Sequence, residues 1–405
     1  MKLKITKGNI KEHITVPASK SWANRYLILA AISKEPTTVK NCPDSTDVEA
    51  MIKSFLHIGL KVARSGADVI VSNSFPECES ETVGSVIELE SGDGGTTNRF
   101  LLPLLSRGMK DYIIKTSFEF LQRPKKEFVD IFQKYGMNLE SGGDQFWLKV
   151  YGGHKFNSSK IHVDCSKSTQ FISGLMLAYA DMPIEFVAEN LKSSESYYEM
   201  TKRSIVEFKS GSTEFITPVD FSSLSYPLVF SIDQQEINFT NCMSVDKFQA
   251  DSFLIEFLKH KGVHFDFCKD GLFVKSKNFN KSPFKLSCRG FPDLVPSLVF
   301  LMCLCEGESQ LMELEVLTYK ESDRFNEMVK ILLAAGVPHK VDHESFSLSI
   351  NGPVSKINNA NFDLPPDHRM VMLASMLVKR FGEGSVNQAS HVKKSYPNFF
   401  KDFDV

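Results

Sequence analysis

The segment DSFLIEFLKHKGVHFDF, residues 251–267, reads as a helix, a stop and a strand in direct succession. Phe253, Leu254, Phe257 and Leu258 recur at the three- and four-residue spacing of one helical face, and Gly262 suits a left-handed C-cap before the chain extends again. The same element returns at residues 45–64 ending on Gly59, 125–140 on Gly136, 197–211 on Gly211 and 324–341 on Gly336. Intervals of about 50 to 80 residues exceed ordinary solenoid periods, which favours a few large αβ repeats. Between the helices, KLKIT, DYIIKT, QFWLKV, KIHVDC, EINFT and SFSLSI read as strands. The expected class is α/β or α+β, with two similar halves joined near TPVDFS, residues 217–222.

At 405 residues the chain exceeds what one hydrophobic core usually serves. Hydrophobic residues at 42% and charged residues at 24% match ordinary globular composition. With 47 basic against 49 acidic residues the net charge is −2, which argues against nucleic-acid or membrane partners and leaves any anion site local. The N-terminus alternates like a strand and has no signal-type apolar region, and the longest apolar run, PSLVFLMCLC at 296–305, is too short to span a bilayer. A cytoplasmic location is the expectation. The eight cysteines have neither zinc nor disulfide spacing and read as buried, reduced thiols.

Polar clusters sit repeatedly just ahead of apolar helices. PASKSWANRYLILAAIS (17–33) places Lys20, Ser21 and Arg25 at a helix start, where unpaired N–H groups and the positive dipole end favour an anion. SGDGGTTNRFLLPLL (91–105) exposes backbone through Gly92, Gly94 and Gly95 without forming a P-loop or a dinucleotide fingerprint. Ser168, Thr169 and Gln170 precede another apolar helix, as do Asp220, Ser222 and Ser223, and Arg123 stands before Pro124 at a further helix start. Later come Lys320, Glu321 and Arg324 in YKESDRFNEM, then Asp367, His368 and Arg369, then Lys393 and Lys394 in VKKSYPNFF. Asp293 stands at the mouth of the most apolar run, where desolvation raises a carboxyl unless cations oppose it. Each cluster alone reads as a surface cap or ion pair; together they suggest helix N-termini aimed at one cleft.

In order along the chain these stretches resemble the motifs of the enolpyruvyl transferases, on the branch acting on shikimate 3-phosphate. Residues 17–27 are similar to P-G-S-K-S-x-x-N-R-x-L, 92–99 to G-N-A-G-T-x-x-R, 123–124 to R-P, and 168–171 to S-S-Q-F. Residues 220–223 are similar to D-x-S-S, 320–324 to K-E-(S/T)-D-R, 367–370 to D-H-R-M, and 394–397 to K-(S/T)-(Y/F)-P. The resemblance implies two domains of three βαβαββ units each, with helix N-termini facing an inter-domain cleft. Residues 1–18 with 220–405 would form one domain and 19–219 the other. It implies transfer of the enolpyruvyl group of phosphoenolpyruvate to the 5-hydroxyl of shikimate 3-phosphate, by a monomer, with no metal and no organic cofactor. It places shikimate 3-phosphate on Lys20, Ser21, Arg25, Ser168, Thr169, Ser194, Tyr197, Asp293 and Lys320, and phosphoenolpyruvate on Lys20, Gly95, Arg123, Gln170, Arg324, Arg369 and Lys394. The implied catalytic groups are Asp293, Glu321, Lys20, Lys394 and His368.

Ala18, Asp93, Phe100 and Thr169 depart from the pattern, as does EVLTY before Lys320; Asp93 and Phe100 bear on phosphoenolpyruvate affinity and on sensitivity to its mimic glyphosate. The alternatives are the sister transferase acting on UDP-N-acetylglucosamine and a non-catalytic anion-binding paralogue.

Overall fold

The computed structural model describes residues 2–81, 84–121, 125–166, 168–191 and 194–405. The chain divides into two compact units, one formed by Met1–Pro17 with Val219–Val405 and the other by Ala18–Pro218. Local hydrogen bonds bracket both junctions. Within the discontinuous unit the Asp220 N–H donates to the Pro17 carbonyl, and within the contiguous unit the Ser19 N–H donates to the Pro218 carbonyl. By this division Ala18 goes with the contiguous unit and Val219 with the discontinuous one.

Each unit has its own apolar core and is built on the same plan. In the contiguous unit the helices Lys20–Ile32, Gly95–Ser106 and Gln170–Ala178 pack on one another. In the discontinuous unit the equivalent trio is Phe221–Ser231, Val295–Met302 and His368–Phe381. These six are buried nearly all round, charged residues included, so they are central helices rather than surface ones. The helices predicted to end on glycine are the outer, one-sided ones: Thr46–His57, Lys126–Lys134, Glu195–Lys209, Phe253–His260 and Arg324–Ala335. All five predicted glycines, 59, 136, 211, 262 and 336, take positive φ, between 71° and 91°.

The sheets are mixed. Thr37–Lys40 lies parallel to Glu214–Ile216 and antiparallel to Asp68–Val71, which pairs onward with Val62–Ser65. A second four-stranded sheet repeats this with Val86–Glu90, Asp111–Lys115, Leu148–Tyr151 and Leu139–Ser141, one parallel step followed by an antiparallel hairpin. The third sheet of this unit is the parallel pair Lys160–Asp164 and Glu185–Glu189. The discontinuous unit repeats the pattern twice in four-stranded sheets, and its third sheet joins Leu3–Ile5 to Gly384–Val386 and Ala360–Phe362. All six strand segments predicted above are strands. No disulfide joins any of the eight cysteines, seven of which are buried. No helix among the described residues is long and apolar enough to cross a membrane.

Close helix contact depends on glycine at one point. A Cβ on Gly174 would lie 2.8 Å from the Arg99 carbonyl oxygen and 3.1 Å from the Pro103 side chain, across the contact of Gln170–Ala178 with Gly95–Ser106. Gly174→Ala gains about 1 kcal/mol of helix propensity, but the helices must separate. We expect a net loss of up to about 2 kcal/mol, read as a lower urea midpoint at unchanged m-value, since overpacking typically costs about 1–3 kcal/mol. A midpoint that stays or rises would mean the two helices part freely.

Candidate functional site

In the discontinuous unit the starts of the three central helices meet in a charged network. Asp367 caps His368–Phe381, accepting the Arg369 N–H at 2.9 Å, and is fully buried, with 0% exposure. Its other oxygen accepts Arg324 Nε at 2.7 Å and Ser322 Oγ at 3.0 Å. Arg324 opens the Arg324–Ala335 helix and reaches onward, its Nη1 donating to Asp293 Oδ1 at 3.0 Å. Asp293 heads the Val295–Met302 helix and also faces Arg369 Nη2 at 3.3 Å and Lys320 Nζ at 3.6 Å. Arg369 donates through Nη1 to the Asp293 carbonyl at 2.9 Å and through Nη2 to Ser222 Oγ at 3.2 Å, so it binds the first turns of all three helices. Asp220 caps the third, accepting the N–H groups of Ser222 and Ser223.

Glu321 forms the other arm, with His368 Nδ1 at 2.9 Å and Lys394 Nζ at 3.3 Å. Because burial lowers the His368 pKa against the pull of Glu321, the ring is neutral near pH 7. The carboxylate can only accept, so the Nδ1 nitrogen carries the proton. Burial raises both Asp293 and Glu321 but is overcome: Arg369, Lys320 and Arg324 hold Asp293 well below the usual carboxylate range, and the Lys394 charge with the His368 hydrogen bond does the same for Glu321. The sequence left the Asp293 shift conditional on opposing cations, and three are present. Burial lowers Lys320, with Asp293 opposing. Thus Asp293, Lys320, Glu321, Arg324, His368, Arg369 and Lys394 form one connected cluster.

The contiguous unit gathers its own set, and here the contacts are mostly with hydroxyls and backbone. Arg25 is 2% exposed, with Nε on Thr201 Oγ1 at 2.9 Å, Nη1 on the Ser21 carbonyl at 2.8 Å and Nη2 on the Tyr197 carbonyl at 2.8 Å. Its guanidinium lies 5.4 Å from the Phe100 ring centroid and 5.9 Å from that of Tyr197, and burial lowers its pKa to about 10. Expected as an anion ligand, Arg25 in this structure binds the Lys20–Ile32 helix to Glu195–Lys209. Phe100 is fully buried as part of that seat. Lys20 Nζ donates to Asp47 Oδ2 at 2.7 Å, while Thr97 Oγ1 donates to the Asp47 carbonyl at 3.0 Å, so Asp47 ties Lys20 to the helix that begins at Gly95. Gln170 Nε2 donates to Thr96 Oγ1 at 3.1 Å, and its Oε1 accepts from Arg99. Ser168 Oγ accepts the Gln170 N–H at 3.2 Å, and Thr169 Oγ1 donates to the Ser194 carbonyl at 3.3 Å. Arg123, with Pro124, lies outside the described residues.

Sequence reasoning passed over Asp47, Thr201 and Asp251. Asp47 sits in a first helical turn after the cap Ser45, where acidic residues are routine, so its pairing with Lys20 has no local signal. Glu321, Asp367 and His368 bring three possible metal-ligating atoms within 4.8 Å of one another. Arg324 and Lys394 already answer those carboxylates, so a cation could enter only by displacing them.

The family model described as EPSP synthase (3-phosphoshikimate 1-carboxyvinyltransferase) matches residues 5–210 and 206–403. A Clostridium novyi protein named 3-phosphoshikimate 1-carboxyvinyltransferase is 25% identical over 433 aligned positions, covering 99% of this chain and 96% of its own. One of the same name from Thermococcus kodakarensis is 29% identical, covering 97% and 96%. Among solved structures, an EPSP synthase from Acinetobacter baumannii superposes with a TM-score of 0.75 at 19% identity, covering 99% of this chain and 97% of its own. An enolpyruvyl transferase from Streptomyces tendae gives 0.72 at 14% identity, covering 100% and 96%. These two carry the two-domain enolpyruvyl transferase fold.

Two outcomes follow from the network. Arg324→Met strands the fully buried Asp367 carboxylate and should cost about 3–5 kcal/mol of stability by urea unfolding; a loss under about 1 kcal/mol would mean that Asp367 finds another partner. Asp293 and Glu321 have folded values below their unfolded ones, so their stabilisation is full above about pH 4 and disappears as pH falls through the folded values. Acid unfolding of Asp293→Asn should accordingly be less steep than that of the unaltered protein, and parallel curves would remove Asp293 from the acid-sensitive set.

Proposed function

The chain belongs to the EPSP synthase (3-phosphoshikimate 1-carboxyvinyltransferase) family, and on that premise we propose how its residues divide the work. It transfers the enolpyruvyl group of phosphoenolpyruvate to shikimate 3-phosphate in the shikimate pathway, releasing phosphate. The observation that carries this reading is Asp293 held among Arg324, Arg369 and Lys320 where three helices begin. Both substrates bring a phosphate and a carboxylate, and such a pair requires several fixed cations, with Arg suited to two-pronged oxyanion contacts and Lys to point-charge compensation.

In the proposed assignment shikimate 3-phosphate takes Lys20, Ser21, Arg25, Ser168, Thr169, Ser194, Tyr197, Asp293 and Lys320. Phosphoenolpyruvate takes Lys20, Gly95, Arg123, Gln170, Arg324, Arg369 and Lys394. Arg25 supports the first set by fixing Ser21 and Tyr197. The charge balance explains how strongly depressed carboxylates can handle protons. Substrate anions share the cations that hold Asp293 and Glu321 down, so both carboxyls rise towards values suited to proton transfer once the site is filled. Asp293 then takes the 5-hydroxyl proton as that oxygen bonds to the central carbon of phosphoenolpyruvate, while Glu321 or Lys20 protonates the methylene. From the resulting ketal the carbon–oxygen bond to phosphate breaks, a methyl proton returns to the acid that supplied it, and the hydroxyl proton leaves with phosphate. Lys394 and the arginines stabilise the departing charge. We further propose that the protein works as a monomer in the cytoplasm, where its thiols stay reduced.

A phosphate-release assay with phosphoenolpyruvate and either acceptor decides the reading. Turnover is expected with shikimate 3-phosphate and not with UDP-N-acetylglucosamine; the reverse pattern would reassign the acceptor. Asp293→Asn should lower kcat by about 10²–10⁴-fold, the usual contribution of a positioned base. Lys20→Met should fall comparably, and full turnover in both variants would point to a different site.

A further inference from the structure

Asp251, at the head of the Phe253–His260 helix, is a buried carboxyl that the mechanism above does not use. It is 5% exposed, and its Oδ1 is sealed from water with no hydrogen-bond partner among the described residues. Its turn, Ala250–Ser252, is pinned by the preceding Gln249. The Gln249 side chain accepts the Phe221 N–H at 3.0 Å and donates to the Val219 carbonyl at 2.7 Å and to Asp246 at 2.8 Å. The turn is thereby held against the start of the Phe221–Ser231 helix, whose Ser222 accepts from Arg369. Four charged groups on four other elements bear on Asp251: Asp293 and Asp220 of like sign, and Arg369 and Lys320 of opposite sign.

Two carboxyls, Asp251 and Asp293, therefore share Arg369 and Lys320. Asp293 has direct contacts with both cations, whereas Asp251 has an oxygen with no donor among the described residues, the arrangement in which a buried carboxylate is least favourable and a neutral acid more so. We propose that Asp251 is a positioning residue that holds a proton while shikimate 3-phosphate binds, leaving Lys320 opposed by Asp293 alone and so attractive to that anionic substrate. When Asp251 ionises, a second negative charge enters the same pocket and binding weakens. Burial first, then the charge of Asp293, push Asp251 up to about 7 against the pull of Arg369. The two carboxyls titrate as a pair, with the proton residing on Asp251. The inference rests on the reading that Asp293 and Lys320 receive shikimate 3-phosphate.

The test compares Asp251→Asn, a neutral isostere of the acid, with the unaltered protein in phosphate release from pH 6 to pH 8.5. In the unaltered protein KM for shikimate 3-phosphate should climb several-fold as pH passes about 7, with the change falling on KM rather than kcat. In Asp251→Asn that climb should vanish, leaving KM at pH 8 several-fold lower than in the unaltered protein. An undiminished climb in the variant overturns the proposal, as does loss of turnover at every pH, which would make Asp251 a base in its own right. Infrared difference spectra of the two free proteins at pH 6 give a readout that needs no turnover. A protonated-carboxyl C=O band present in the unaltered protein and missing from Asp251→Asn is expected, and its absence from the unaltered protein refutes the proposal even where the assay supports the functional reading. Conversely, that band together with an inactive unaltered protein would fault the functional reading and leave the proton on Asp251 in place.

Discussion

The ion pair between Arg324 and Asp367 is the contact on which the charged cluster depends. Neither residue has appreciable access to water, and a buried pair of this kind is a poor source of stability, because desolvation offsets most of the attraction. What it supplies is position. Asp367 caps one helix, Arg324 begins another, and the same guanidinium reaches the Asp293 carboxylate at the head of a third. One planar group with several fixed donors thus sets the distances among residues from three separate stretches of chain, and Lys320, Arg369 and Glu321 arrange themselves around it.

The two units use one plan with different chemistry at the helix starts. In the discontinuous unit two of the three caps are aspartates, Asp220 and Asp367, Asp293 stands in the turn that leads into the third helix, and formal charges dominate. In the contiguous unit the caps are Ser19, Gly94 and Thr169, and much of the polar surface consists of hydroxyls and exposed backbone. Backbone N–H groups at such helix starts attract anions through partial charges, a weaker means than a ring of arginines. Repetition accounts for the shared architecture, and the divergence of the caps accounts for the different electrostatics.

Much of this was legible in the sequence because the signals were local. A glycine after an amphipathic run, as at Gly262 or Gly336, announces both the helix end and its left-handed cap. Polar residues immediately before an apolar run, as at Ser168 to Gln170, announce a helix start, and their order along the chain carried the family resemblance. What stayed hidden was pairing between distant residues. Nothing near Asp47 indicates that Lys20 will meet it, and nothing near Arg25 indicates that Thr201 and the Tyr197 carbonyl will take its donors. The Asp293 shift was also beyond reach: its direction depends on three cations that lie 27, 31 and 76 positions further along the chain, at Lys320, Arg324 and Arg369. A patterned stretch fixes its own shape, while a charge balance is a property of the folded assembly.

The discontinuous unit also has a history during synthesis. Leu3–Ile5 completes its sheet only with Gly384–Val386, and His13–Ile14 pairs with Ile237–Phe239. At about 5–20 residues per second, the first strand emerges from the ribosome roughly 20–75 s before its partner exists. The contiguous Ala18–Pro218 unit meets no such delay and can mature while the leading segment remains tethered to it, an unclaimed strand edge. The lysines at positions 2, 4, 7 and 11 then have a use apart from any in the finished fold, as charges that discourage that waiting edge from pairing with the wrong chain.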